Sequence, residues 1–215
     1  MRIVSVNVGA AAAIAAKSGQ SGIFKQPVAQ AEVGPLGLMG DTIIDVKHHG
    51  GADQAVYAYT IADYDWWAAK LGREMPQGIF GENLTLDRWP ADVICVGDRL
   101  RIGAVVLEVT APRVPCVTLE VRMDRPGFGR EFLEARRPGP YFRVISGGTV
   151  TPGQDVVVEP FQGKRLRLND WPGLFGPRLR TRSEVEAWLS VPVHMAMRRD
   201  LEKRAARGGP DVGDT

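Results

Sequence analysis

The sequence contains little cysteine and no long apolar run. Its two cysteines, Cys95 and Cys116, argue against a disulfide framework and exclude a self-contained four-cysteine iron–sulfur cluster or zinc site. Such sparse cysteine usage fits a reducing compartment, so we expect a cytoplasmic protein. No stretch of about 18 apolar residues occurs, and therefore no membrane-spanning helix is predicted.

Strong charge of either sign is also absent. The formal net charge of +2 is too small to indicate nucleic acid binding by itself. Basic residues are concentrated from Lys164 onward, which predicts a solvated and partly helical surface. A module that binds nucleic acid or an acidic partner through this tail is the less favoured alternative.

Short strand-like runs between Gly and Pro turns dominate the chain up to about residue 160. Residues 2–8 alternate like a first strand; Ser5 and Asn7 interrupt the apolar run, which argues against a signal peptide. The runs predict a mostly β, α+β fold that forms a closed or nearly closed barrel. Thr60 and Ser183 carry capping-box patterns that predict helix starts. We predict a β-barrel domain at residues 1–160 and a helical, basic extension at residues 161–215.

The run of residues 40–57 has the composition of a binding site. It places Lys47, His48 and His49 before Gly50 and Gly51, and such a mixture is unusual in a hydrophobic core. The glycines allow tight turns or close approach to a ligand. Two histidines with Asp45 or Asp53 are candidates for zinc, although adjacent residues on an extended segment point to opposite sides. The lysine, histidines and glycine backbone equally suit a phosphate or a polar heterocycle.

Two further segments carry candidate chemistry. Cys116 lies on a loop stiffened by Pro112 and Pro115, beside Arg113, which favours a thiolate that acts as a nucleophile or a soft-metal ligand. Asn83 follows Gly81 and Glu82, and its amide suits the edge of a heterocycle.

These segments, in this order, resemble the MOSC domain, a family named for the C-terminal domain of molybdenum cofactor sulfurase. The matching pieces are residues 40–57, with Lys-His-His-Gly-Gly, residues 80–84, Phe-Gly-Glu-Asn-Leu, and residues 112–116, Pro-Arg-Val-Pro-Cys. With weaker matches near both ends, the resemblance covers roughly residues 20–158. It is greatest to stand-alone bacterial members associated with resistance to N-hydroxylated purine analogues, some of which carry a C-terminal three-helix extension.

The resemblance implies a barrel-like fold and a molybdenum cofactor (molybdopterin), and at family level also pyridoxal phosphate binding. Cys116 would ligate molybdenum beside the pterin dithiolene, while His49 or Asp53 would supply a proton. Cations and backbone N–H groups would hold the anionic phosphate of the cofactor. The implied cofactor-binding residues are Lys25, Lys47, His48, Gly50, Gly51, Asn83 and Arg113.

The resemblance further implies an oxidoreductase that reduces N-hydroxylated substrates, such as hydroxylamino-purines or amidoximes. Because the sequence has no flavin motif and too few cysteines for a cluster, the electrons are expected from a separate flavin or iron–sulfur protein. The alternative is a carrier that delivers the cofactor, or sulfur as a Cys116 persulfide.

Overall fold

The computed structural model describes residues 1–46, 49–90 and 94–206 and confirms the α+β class. The strands are β1 Ile3–Val8, β2 Ala12–Ala13, β3 Gln20–Ser21, β4 Gln26–Val28, β5 Ala31–Gly34, β6 Gly37–Leu38, β7 Val56–Thr60, β8 Leu84–Leu86, β9 Arg99–Ile102, β10 Val105–Pro112, β11 Pro140–Ser146, β12 Gly148–Val150 and β13 Val157–Glu159. The helices are α1 Ile61–Leu71, α2 Val117–Arg122, α3 Phe128–Ala135, α4 Arg182–Leu189 and α5 Met195–Ala206, and Ala52–Gln54 and Leu168–Asp170 form 3-10 turns.

The largest sheet is open, so the predicted barrel is wrong. Its strand order is β13-β9-β10-β11-β7-β8-β1-β4, and the edge strands β13 and β4 do not pair with each other. Strand β5 instead pairs with β12 on one side and with β6 on the other, in a separate three-stranded sheet.

The centre of the large sheet follows directly from the sequence. Every residue of β10 is buried, as expected for a Val-rich strand that is covered on both faces. It pairs with β9 across the turn at Gly103 (φ 57°) and with β11 on its other side. The alternating β1 also forms as predicted, with β4 and β8 as neighbours.

Aromatic side chains join the helices α1 and α3 to one side of β7. Trp67 of α1 packs against Phe128 and Phe132 of α3, with ring centroids 4.9 and 6.0 Å apart. Thr60 caps α1 by accepting from the Asp63 N–H, and Gly72 ends the helix in the left-handed conformation, as predicted. The sequence reading missed α2 and α3, because six and eight residues are too few to show a helical period clearly.

The C-terminal extension, residues 161–206 of the described chain, packs onto the sheet. Val185 and Trp188 of α4 and Leu201 of α5 belong to the same hydrophobic core as β1, β9 and β10. The α4 helix begins two residues before the predicted start, because Thr181 and Glu184 form its capping box rather than Ser183. The division at residue 160 stays a prediction.

The residues that the structure describes contain no candidate membrane-spanning helix. None of their helices combines the length and the apolar character that crossing a bilayer demands.

Candidate functional site

A pocket of about 530 Å³ opens where several central strands end, within the usual size range of small-molecule sites. Tyr57 enters from β7 and Tyr141 from β11, while Cys116 begins α2 just after β10. Among the other lining residues are Lys25, Asp41, Ile44, His49, Gln54, Asn83, Arg113, Val114 and Val117. The fold thus gathers lining residues from Ala16 to Tyr141, which are 125 positions apart in the sequence.

Cys116 is a half-buried free thiol whose pKa is lowered by its surroundings. Burial raises the pKa of the thiol, but a hydrogen bond from His49 and the positive charge of Arg113 outweigh it and lower the pKa to about 6. The Cys116 carbonyl also accepts from the Leu119 N–H at 3.0 Å, which fixes the residue at the start of α2. At neutral pH Cys116 is therefore mostly a thiolate, the form that acts as a nucleophile or a metal ligand.

Arg113 places a buried positive charge beside this thiolate. Its guanidinium stacks on the Tyr57 ring at 4.9 Å from the centroid and donates to the Tyr141 hydroxyl at 3.3 Å. Burial raises the pKa of both phenols, so they stay neutral. Arg113 is only 4% exposed, and its Nε has no hydrogen-bond partner within the described residues. Buried cations of this kind suit anionic ligands.

Lys25, in contrast, is already neutralised by a carboxylate. Its ammonium forms a buried ion pair with Asp41, whose other oxygen accepts from the Gly9 N–H at 2.8 Å. Asn83 donates to Asp41 at 2.9 Å and accepts from the Tyr57 N–H at 3.1 Å. Asn83 therefore lines the pocket, but its amide is engaged in holding Asp41 and β7 in place.

Glu82, next to Asn83, is a structural carboxyl group behind the pocket. It is fully buried and accepts from the Tyr64 hydroxyl, from the Gly78 N–H at 2.9 Å and from the Thr85 hydroxyl at 2.8 Å. Burial raises its pKa. The Gly-Glu-Asn segment thus acts first as an anchored turn, with Gly81 in the left-handed region at φ 75°.

Asp53, Gly50 and Gly51 do not join Cys116 in the pocket. Asp53 is absent from the pocket lining; its carboxylate pairs with Arg143 at 2.9 Å and accepts from the Met195 N–H at 2.6 Å. Gly50 and Gly51 are likewise absent from the lining. The predictions for Lys47 and His48 lie outside the residues that the structure describes.

Several lining residues escaped the sequence analysis. Asp41 stands at the start of the predicted run, directly after Gly40, so its position was a usable signal. Gln54 lines the pocket, and its buried Oε1 lacks a partner among the described residues. Tyr57 and Tyr141 look like ordinary strand residues in the sequence, and only their pairing across β7 and β11 reveals them.

A self-contained metal site does not form in the part of the chain that the structure describes, where no three His, Cys, Asp or Glu side chains converge. The zinc hypothesis thus gains no support there. The donor set does fit a cofactor that brings most of its own metal ligands. The Cys116 thiol offers a soft donor, and the buried Arg113 guanidinium offers a positive charge.

Comparison with solved structures supports the fold. YiiM from Geobacillus stearothermophilus matches with a TM-score of 0.77 and 28% identity, over 95% of this chain and 98% of that one. YiiM from Escherichia coli matches with a TM-score of 0.72 over 100% of this chain and 96% of that one; at 21% identity this likeness shows the fold alone.

Comparison with curated sequences gives the family. YflK, an uncharacterized protein of Bacillus subtilis, is 32% identical over 157 residues, which cover 72% of this chain and 71% of that protein. A protein named reductase from Gibberella moniliformis is 30% identical over 144 residues, or 63% of this chain but only 25% of that protein. The family model for the MOSC domain matches residues 45–157. The chain therefore belongs to the MOSC domain family.

Proposed function

We propose that this protein is a molybdenum-cofactor-dependent oxidoreductase that reduces N-hydroxylated compounds, such as hydroxylamino-purines and amidoximes, to the amine or amidine. The observation that carries the proposal is the acidified Cys116 thiol, held by His49 and Arg113 in a pocket of small-molecule size. Membership of the MOSC family and the similarity to a protein named reductase support it further.

Three of the implied residues are suited to holding the cofactor. Cys116 offers a thiolate, which is the protonation state that a metal ligand must have. Arg113 offers a buried positive charge whose neighbours are neutral phenols, so it is the preferred partner for the cofactor's phosphate. Lys25 contributes less net charge, because Asp41 already balances it. When bound, the cofactor would supply the two-electron chemistry that breaks the N–O bond.

The overall reaction consumes two electrons and two protons and releases one water for each N-hydroxyl group reduced. His49 is the residue that supports proton delivery. Its hydrogen bond to the Cys116 sulfur supports this role, because the imidazole lies beside the proposed metal ligand. Once Cys116 is engaged as a ligand, this N–H is free to be offered to the departing hydroxyl oxygen. Asp53, whose carboxylate is engaged elsewhere, has no such role in the proposal.

The rim of the pocket suits a substrate that is partly apolar. Ile44, Val114 and Val117 line the pocket and are 40, 48 and 66% exposed. Apolar side chains at a pocket mouth favour an aromatic or aliphatic body, while polar groups inside fix its orientation. The electrons would come from a separate flavin or iron–sulfur protein.

Turnover tests the proposal. Protein purified from a host that makes the cofactor should reduce a hydroxylamino-purine and an amidoxime with reduced methyl viologen as the electron donor. Cys116→Ser should lose this activity, while Cys95→Ala should keep it because Cys95 lies outside the pocket. Equal turnover in wild type and Cys116→Ser would refute the proposal. Bound cofactor without turnover in the wild type would favour the carrier function instead.

A further inference from the structure

Asp53 connects the segment that carries His49 to the C-terminal extension. One oxygen of its carboxylate pairs with Arg143 of β11 at 2.9 Å, and the other accepts from the N–H of Met195, the first residue of α5, at 2.6 Å. The Asp53 carbonyl in addition accepts from the Thr110 hydroxyl at 2.5 Å. Three different elements therefore converge on this one residue.

Arg143 and Thr110 hold the extension from the same side. Arg143 donates to the carbonyls of Pro192 and Val193 at 3.2 and 3.3 Å, just before α5 begins. The Thr110 carbonyl accepts from the His194 N–H at 3.0 Å. The start of α5 is thereby fixed to β10 and β11 through backbone bonds, and Asp53 ties segment 49–54 to the same point.

Segment 49–54 needs such anchors because its own backbone is compliant. It contains Gly50 and Gly51, and Gly51 adopts a φ of 91°, which gives the chain freedom that other residues lack. At one end the His49 N–H bonds to the Asp45 carbonyl at 2.9 Å. At the other end Asp53 is the anchor, and its neighbours His49 and Gln54 both line the pocket.

We infer that Asp53 is a positioning residue through which the C-terminal extension holds His49 and Gln54 against the pocket. A carboxylate is well suited to this task, because it can pair with a guanidinium and also accept from the positive N-terminal end of a 12-residue helix. The extension thus acts as a brace of the site, in addition to covering the sheet.

Hydrogen exchange and thiol alkylation test this inference on cofactor-free, full-length protein that carries Cys95→Ala, so that Cys116 is its only thiol. Because neither readout needs the cofactor, the test is independent of the proposed reaction. In Asp53→Ala, the backbone amides of segment 49–54 should exchange about tenfold faster, while those of β10 stay unchanged. The pH at which iodoacetamide alkylation is half-maximal should rise by about one unit, because Cys116 loses a well-placed His49.

Two further variants keep the test decisive. Asp200→Ala removes an exposed ion pair with Arg204 inside α5 and should change neither readout. Met195→Pro removes the N–H that donates to Asp53, together with a half-exposed side chain, at the first helical position, where proline is tolerated. It should change both readouts in the same direction as Asp53→Ala, and it provides the test if Asp53→Ala does not fold. If Met195→Pro, or a folded Asp53→Ala, matches Asp200→Ala in either readout, the inference is overturned.

Discussion

The pKa of Cys116 is lowered by two neighbours, one close to it in the sequence and one distant. Arg113 precedes it by three residues, so their proximity was predictable, and the prediction of a thiolate beside an arginine agrees with the lowered pKa. The hydrogen bond from His49 spans 67 positions and depends on β7 and β10 lying in one sheet. Proximity of that kind is a tertiary property, which local sequence patterns do not encode.

The contacts of the Asp53 carboxylate could not be predicted from the neighbouring residues in the sequence. In the sequence Asp53 follows two histidines and two glycines, and this setting predicted a proton donor. The fold turns its carboxylate toward Arg143 and α5 instead. Residue type and local composition predict a site in this run, but side-chain direction depends on which elements pack around the segment.

Replacing Asp41 should destabilise the protein strongly. Asp41 and Lys25 have side chains only 4 and 8% exposed, and Asp41→Asn leaves a buried ammonium without a counter-charge. The free energy of unfolding should fall by about 3 kcal/mol, the usual effect of breaking a buried ion pair. Urea unfolding measures this loss.

The matched control for Asp41 is an exposed pair. Arg130 and Glu134 form an ion pair on α3 with side chains 86 and 58% exposed, and Glu134→Gln should change the free energy of unfolding by about 0.5 kcal/mol or less. A loss for Asp41→Asn as small as that of Glu134→Gln would show that the buried pair does not stabilise the fold.

At the scale of elements, local signals predicted strands and capped helices, whereas their arrangement depended on distant contacts. The hairpin of β9 and β10 and the capped α1 followed from turn and capping residues that lie within each element. Strand order did not, because the many short strands are equally compatible with a barrel and an open sheet. The separate pairing of β5, β6 and β12 decides between them.

The start of α5 should make stability depend on pH. His194 accepts from the Ala196 N–H through its Nδ1 at 3.0 Å, which requires a neutral ring. Burial lowers the pKa of His194 below 6.5, against the opposing effect of Asp53. Since the unfolded chain binds this proton more tightly, the stabilisation is complete above about pH 6.5 and is lost as the pH falls toward the folded-state pKa.

His194→Asn tests this pH dependence. Asparagine is a good helix cap that does not titrate, so the variant should lose less stability than wild type when the pH is lowered from about 7 to about 5.5. Thermal unfolding of both proteins at the two pH values gives the comparison. Parallel loss of stability in the two proteins would contradict the role assigned to His194.

At the scale of the whole molecule, the sheet positions the residues that line the pocket around Cys116, and α4 and α5 of the C-terminal extension pack onto the core of that sheet. The family was predictable from three ordered segments and is now shown over residues 45–157. The bracing of the site by residues after 160 was not predictable, because it rests on contacts that His194 and Met195 make with segments 105–112 and 49–54.

The central claim is that Cys116 holds a molybdenum cofactor. The most direct measurement is the molybdenum and oxidised-pterin content of wild type and of Cys116→Ser, purified in parallel from a host that makes the cofactor. We predict molybdenum and pterin in near-equal amounts in the wild type and the loss of molybdenum in Cys116→Ser. Wild-type protein free of both, or a Cys116→Ser variant that retains as much molybdenum as wild type, would contradict the account.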